Sequence, residues 1–156
     1  MRNRGFTLIE MLIVILIISV LAAVAVPMVE TSIKREKEIQ LRRSLRIIRT
    51  AIDEYRQFVE KNKIKMDEDT YNYPPDLEDL VKGVEYKDKK GELRVKKFLR
   101  RVPLDPIGSS YDYDNEWGKR SYQDDRDSNS WGGENVWDVY TKSERTALDG
   151  TKYKDW

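Results

Sequence analysis

The chain has 156 residues, with 29 Lys and Arg against 28 Asp and Glu, and it contains neither histidine nor cysteine. These absences exclude a disulfide framework, thiol and imidazole catalysis, and the His/Cys zinc sets. The length leaves room for one small soluble domain once any membrane segment is set aside.

The first stretch is Arg4-Gly5-Phe6-Thr7-Leu8-Ile9-Glu10, and it runs into an apolar segment from Met11 to Val26 that is interrupted only by Ser19 and stops at Pro27. A run of that length can cross a hydrocarbon core of about 30 Å as a helix. Arg2 and Arg4 precede it and no acid does, so the positive-inside bias keeps the first residues in the cytoplasm and sends everything after Pro27 across the membrane. Three other readings compete. A cleaved secretory signal would use Ala22-Ala23-Val24-Ala25 as its site, yet the helical pattern continues through it. A generic anchor leaves Glu10 unexplained, because a carboxylate at the start of a span is costly and needs a partner. A buried helix of a soluble domain fails on length and apolarity.

The Arg4 to Glu10 segment resembles the processing motif of type IV pilins and type II secretion pseudopilins, with Pro27 where that family carries a helix-kinking proline. The resemblance implies that a prepilin peptidase cuts between Gly5 and Phe6 and methylates the new amino group of Phe6. Glu10 then becomes the fifth residue of the mature chain, the position whose carboxylate pairs with that amine during filament assembly. Elementary chemistry is consistent with those roles. Gly5 lets a protease approach the backbone closely, and a freed amine near lipid needs a counter-charge. Glu10 of a neighbouring copy supplies one.

Beyond Pro27, which should kink the helix without necessarily ending it, no Gly or Pro occurs between Met28 and Asn62. One helix is therefore expected from about Phe6 to Lys61, divided into a membrane part (6–29) and an amphipathic stem (30–61) that follow a leader of residues 1–5. From Ile33 the pattern carries Leu41, Leu45, Ile48, Ile52, Tyr55 and Val59 on one stripe, flanked by Ile47, Ala51 and Phe58. A coiled-coil seam is the rival reading. The width of the stripe favours packing against a sheet.

Residues 62–156 form the expected globular domain. Asn62 to Tyr73 reads as a loop, and Asp76 caps a short helix through Leu77, Leu80 and Val81 that Gly83 ends. Lys87 to Gly91 is a charged turn, and Leu93 to Leu99 is either a strand or a connector. Strands are expected at Tyr111 to Tyr113, Lys119 to Tyr122 and Val136 to Thr141. Trp117, Tyr122, Trp131, Trp137, Tyr140, Tyr153 and Trp156 are expected to fill the core, with a wet aromatic binding surface as the alternative. Tyr73 to Val81 and Phe98 to Pro106 are similar to the corresponding segments of major pseudopilins. Many type IV pilins close this region with a disulfide, which this chain cannot form. The expected fold class is α+β, a long N-terminal hydrophobic and amphipathic helix packed on a small antiparallel sheet, as in type IV pilins.

Charge is segregated. Lys34, Arg35, Lys37, Arg42, Arg43, Arg46 and Arg49 face only Glu36 and Glu38 between residues 34 and 49, whereas residues 105–156 hold twelve acids against seven Lys and Arg. The basic stem is either a solvated face or a surface that meets the acidic head of another copy. Nucleic acid is not an expected partner on the far side of the membrane.

The inventory offers no phosphate-loop glycines and no hydrolase serine motif, so no enzyme is expected. Calcium is the inorganic partner to weigh, because acids alternate at Asp112, Asp114 and Glu116 and again at Asp125, Asp127 and Asn129. Neither run completes an EF-hand. Major pseudopilins carry a calcium site in a C-terminal loop, but Ser143-Glu144-Arg145-Thr146 replaces the family's segment here, which leaves Asp149 and Asp155 as substitute ligands. The resemblance to major pseudopilins implies a structural subunit of a periplasmic pseudopilus driving type II protein secretion, anchored in a bacterial inner membrane. The resemblance implies as partners further copies of itself, minor pseudopilins, the prepilin peptidase and an inner-membrane assembly platform. A type IV pilus pilin, serving adhesion, motility or DNA uptake, is the alternative.

Overall fold

The computed structural model describes residues 6–108 and 117–156. Its first element, α1 (Leu8–Asn62), is one continuous helix that passes through Pro27. In the stem the many Glu, Lys, Arg and Gln residues favour the conformation. Ser19, Thr31 and Ser32, which would otherwise compete for backbone bonds, return their hydroxyls to the carbonyls of Ile15, Pro27 and Met28 one turn back. The helix follows the expected bounds to within two residues at its start and one at its end.

The chain divides into two compact units, Met1–Lys37 and Glu38–Trp156. Every described residue of the first unit up to Ile33 is exposed, and it contributes nothing to the core. The second unit contains the latter part of α1 and the whole head. There the stripe behaves as its spacing predicts: Leu41, Leu45, Ile48, Ala51, Ile52, Tyr55 and Val59 are all buried.

Across from that stripe lies α2 (Leu77–Lys82), opened by a reciprocal capping box between Asp76 and Asp79 and closed at Gly83. Gly83 has φ of 88°, and a Cβ there would stand 2.5 Å from the carbonyl oxygen of Lys96, so only glycine fits. A hairpin follows, in which β1 (Val84–Lys87) pairs antiparallel with β2 (Leu93–Lys96). Its turn is held by the Asp88 carboxylate, which accepts from the amides of Lys90 and Glu92. The Leu80 carbonyl then accepts from the amides of both Phe98 and Leu99, tying the hairpin's exit to α2.

The second pair joins β3 (Gly118–Arg120) to β4 (Asp138–Tyr140), also antiparallel. The Tyr140 ring packs so closely over Gly118 that a Cβ would fall 2.3 Å from it. The α+β class is therefore as expected, with one difference: among the described residues the strands form two separate pairs rather than one sheet. Leu93 to Leu99 resolves as strand only to Lys96, and both expected strands at 119–122 and 136–141 are shorter than their sequence pattern. The expected strand at Tyr111 to Tyr113 lies outside the described residues.

The loop from Asn62 to Tyr73 contains a short 3-10 turn, Glu68–Thr70, followed by Tyr71 and Asn72, both at positive φ. Of the C-terminal rings, Trp117, Tyr140 and Tyr153 are core residues, and Trp131 and Trp156 pack on its edge. Tyr122 and Trp137 do not enter it; they are 50% and 38% exposed.

Candidate functional site

The apolar start of α1 opens at Thr7. The Thr7 amide donates to Glu10 Oε2 at 3.4 Å while the Glu10 amide donates to Thr7 Oγ1 at 3.3 Å, and the Met11 amide reaches the Thr7 carbonyl. This reciprocal arrangement is a capping box, and it satisfies helix-end amides that have no partner of their own. Its signature, Thr-x-x-Glu, is present in the sequence, although an assembly role for Glu10 makes no use of it. The Glu10 carboxylate is thus a local helix cap in the single subunit.

Phe6 is 74% exposed, and every residue of the apolar run up to Val26 is exposed. By length and composition this segment of α1 is able to cross a membrane. Pro27 sits within the helix, its carbonyl taken by Thr31. Gly5 lies outside the described residues.

In the second unit, the stem arginines differ in what they reach, a difference the sequence did not reveal. Arg42 and Arg49 turn towards the C-terminal segment. Arg42 lies 4.0 Å over the Trp156 ring and 3.3 Å from Asp149 Oδ2. Arg49 donates to Asp138 at 2.7 Å, to the Val139 carbonyl at 3.1 Å and to the Trp156 carbonyl at 2.8 Å. A planar fork with several donors suits that role better than an ammonium would. Arg43 and Arg46 are exposed, with no ion pair among the described residues; Arg46 lines an open pocket with Arg42, Arg49 and Trp156, and Arg43 lines another with Leu99 to Leu104.

Glu38 completes the attachment. Its Oε1 accepts from the Leu148 amide and from the Tyr153 hydroxyl, each at 2.8 Å. Tyr153 is buried, and that burial, together with the bond to Glu38, pushes its phenol up to about 12. Beneath these contacts, the Thr141 hydroxyl donates to the buried Asp105 carboxylate.

Of the calcium candidates, Asp149 accepts from the Thr151 hydroxyl at 2.6 Å and the Thr151 amide at 3.0 Å. Those bonds, with Arg42 adding to them, hold its carboxyl below the ordinary range. Asp155 is exposed within a 3-10 turn, Tyr153–Asp155. Among the described residues no three acids come together as a metal site. Asp112, Asp114 and Glu116 lie outside them.

Comparison with known proteins bears on these features directly. The prokaryotic N-terminal methylation motif matches residues 1–26. Over 115 residues the chain is 30% identical to the type II secretion system core protein G of Pseudomonas aeruginosa, covering 72% of this chain and 73% of that one. The chain belongs to the type II secretion core protein G family. The core protein G of Escherichia coli is 27% identical over 113 residues, covering 70% of each chain. The type IV major pilin protein PilA of Myxococcus xanthus is 42% identical over 62 residues, which is 40% of this chain and 27% of the pilin. No solved structure matches. The pilin's likeness reaches only a minor part of its length, whereas the likeness to the core protein G family covers most of both partners.

Proposed function

We propose that this chain is the structural subunit of a periplasmic pseudopilus that drives type II protein secretion. Membership of the core protein G family carries that reading, and the exposed apolar half of α1 supports it. An apolar surface of that extent has two outlets, a bilayer or the same surface on other copies. The subunit waits in the inner membrane with its N-terminus cytoplasmic and its head periplasmic. A prepilin peptidase cuts between Gly5 and Phe6 and methylates the Phe6 amine. The processed subunit joins a filament with minor pseudopilins at an inner-membrane assembly platform.

In assembly the Glu10 carboxylate exchanges the Thr7 amide for the Phe6 amine of a neighbour. The exchange replaces a neutral donor by a charged one, and charge-assisted bonds are about twice as strong. Glu10→Val removes the counter-charge, so filament yield should collapse while the processed protein stays in the membrane. Mass spectrometry of the native protein should find Phe6 methylated at the N-terminus. A chain that retains Met1 to Gly5, or is trimmed near Ala25, would refute the reading.

We propose calcium at Asp149 and Asp155 as a separate possibility, supported by oxygen ligands in one C-terminal segment. A cation there competes with Arg42 for Asp149. Heat and a raised melting temperature on titrating calcium into the fragment from Thr31 onward would establish it, and a flat titration would dismiss it.

A further inference from the structure

Two surfaces of the second unit are left over once the family role is assigned; the first already takes one cation, Arg56, which lies 4.7 Å over the Tyr73 ring. The first is aromatic and acidic. Tyr122 stacks on Tyr73 at 5.7 Å, meets Tyr71 at 5.2 Å and meets Trp137 edge-on at 6.3 Å. Tyr71, Tyr122 and Trp137 nevertheless stay 48%, 50% and 38% exposed.

Tyr71 is presented at φ of 51° and Asn72 follows at 65°, two consecutive left-handed residues that are not glycine. Such backbone is costly and persists where the surroundings enforce it. The enforcing contacts are visible: the Asp69 carbonyl accepts from Gln123 Nε2 and from Asn135 Nδ2, and the Tyr122 amide donates to Asn135 Oδ1. These bonds bring the segments around residues 69, 123 and 135 together, and the acids Asp69, Asp125 and Glu134 lie on those segments. All three acids are exposed and none has an ion pair among the described residues.

The second surface is aliphatic and basic. Ile39, Arg43 and Ile47 follow each other at four-residue steps along α1, with Arg46 between this row and Arg42. Ile39 and Ile47 are 57% and 40% exposed. Arg43 and Ile47 also wall an open groove of 670 Å³ whose far side carries the exposed Leu104. Arg42 and Arg49 are engaged by the chain's own head, whereas Arg43 and Arg46 have no ion pair among the described residues.

We propose that in the assembled filament the aromatic patch of one copy seats on this stem surface of another, with Arg43 and Arg46 against the rings and acids and Ile47 in apolar contact with them. The occupant is a second copy because the charges are complementary and because the filament supplies copies in fixed register. Cation–π contact and ion pairing reinforce each other when both are shielded from water. The inference rests on the filament reading and specifies which surfaces meet in it.

The absence of native cysteine makes the test clean. Ile47→Cys and Asp125→Cys are made in separate full-length chains, and filaments are assembled from their mixture and from each alone. A short bis-maleimide should give a cross-linked dimer in the mixed filaments only. Independently, Arg43→Glu with Arg46→Glu should cut filament yield about tenfold, as reversed charges at an interface do. Asp69→Lys, Asp125→Lys and Glu134→Lys in the same chain should restore it. Filaments that form normally but give no mixed dimer overturn the proposal and leave the filament reading intact, whether lipid or a companion subunit then covers the stem. A wild-type chain that makes no filaments under the same conditions overturns the filament reading, and this inference with it.

Discussion

Glu38 and Tyr153 show how much a single contact between stem and head can decide. The Tyr153 hydroxyl is buried and donates to a carboxylate, so the neutral phenol is favoured in the folded domain and its pKa is pushed up to about 12. Tyr55 is pushed to about the same value, by burial first and by Asp79 second. In the unfolded chain both return to about 10. Above that pH the unfolded state has shed protons that the folded state still holds, so stability falls as pH rises. It is fully present below pH 10 and is lost through about pH 12. Melting of the fragment from Thr31 onward should record that loss. Tyr153→Phe should cost about 1 kcal/mol at neutral pH, for the missing bond to Glu38, and should make the alkaline loss shallower, with Tyr55 carrying what remains. An alkaline limb unchanged by the substitution would show that Tyr153 does not titrate in this window.

At the scale of elements, periodicity was the most informative signal, and α1 shows why. Leu41, Leu45, Ile48, Ile52, Tyr55 and Val59 are predicted to share one face from their spacing alone, and all six are buried. The same spacing begins at Ile33, which is 54% exposed, because a stripe records which residues share a face and not where the covering domain begins. Asp76 and Gly83 bound α2 as expected, since capping and left-handed backbone are local chemistry. The strands were harder to read. Leu93 to Lys96 lies wholly exposed on the hairpin's outer edge, so no buried face imposes alternation on it. The split of the stem arginines was not legible at all. Arg42 and Arg49 are distinguished from Arg43 and Arg46 by which of them reach Asp149 and Asp138, contacts between residues about ninety or more apart in the chain. The motif around Glu10 was legible because it is short and contiguous, and the aromatic patch was not, because three distant segments build it.

For the molecule as a whole, the two compact units divide the work. No described residue before Leu41 is buried, so the first unit draws its stability from outside the chain and the second from its own core. Removing residues 1–30 should therefore leave the head's folding free energy unchanged. The fragment from Thr31 onward is predicted to melt within about 2 °C of the head of the full chain held in detergent, since even 1 kcal/mol of lost contact shifts a domain of this size by about 4 °C. Differential scanning calorimetry on the two samples measures this directly. A markedly lower transition in the fragment would mean that the apolar half of α1 supports the head within one subunit, and its exposed surface would then no longer be free for bilayer and filament. Equal transitions leave that surface wholly available for assembly, which is the condition the proposed pseudopilus requires of it.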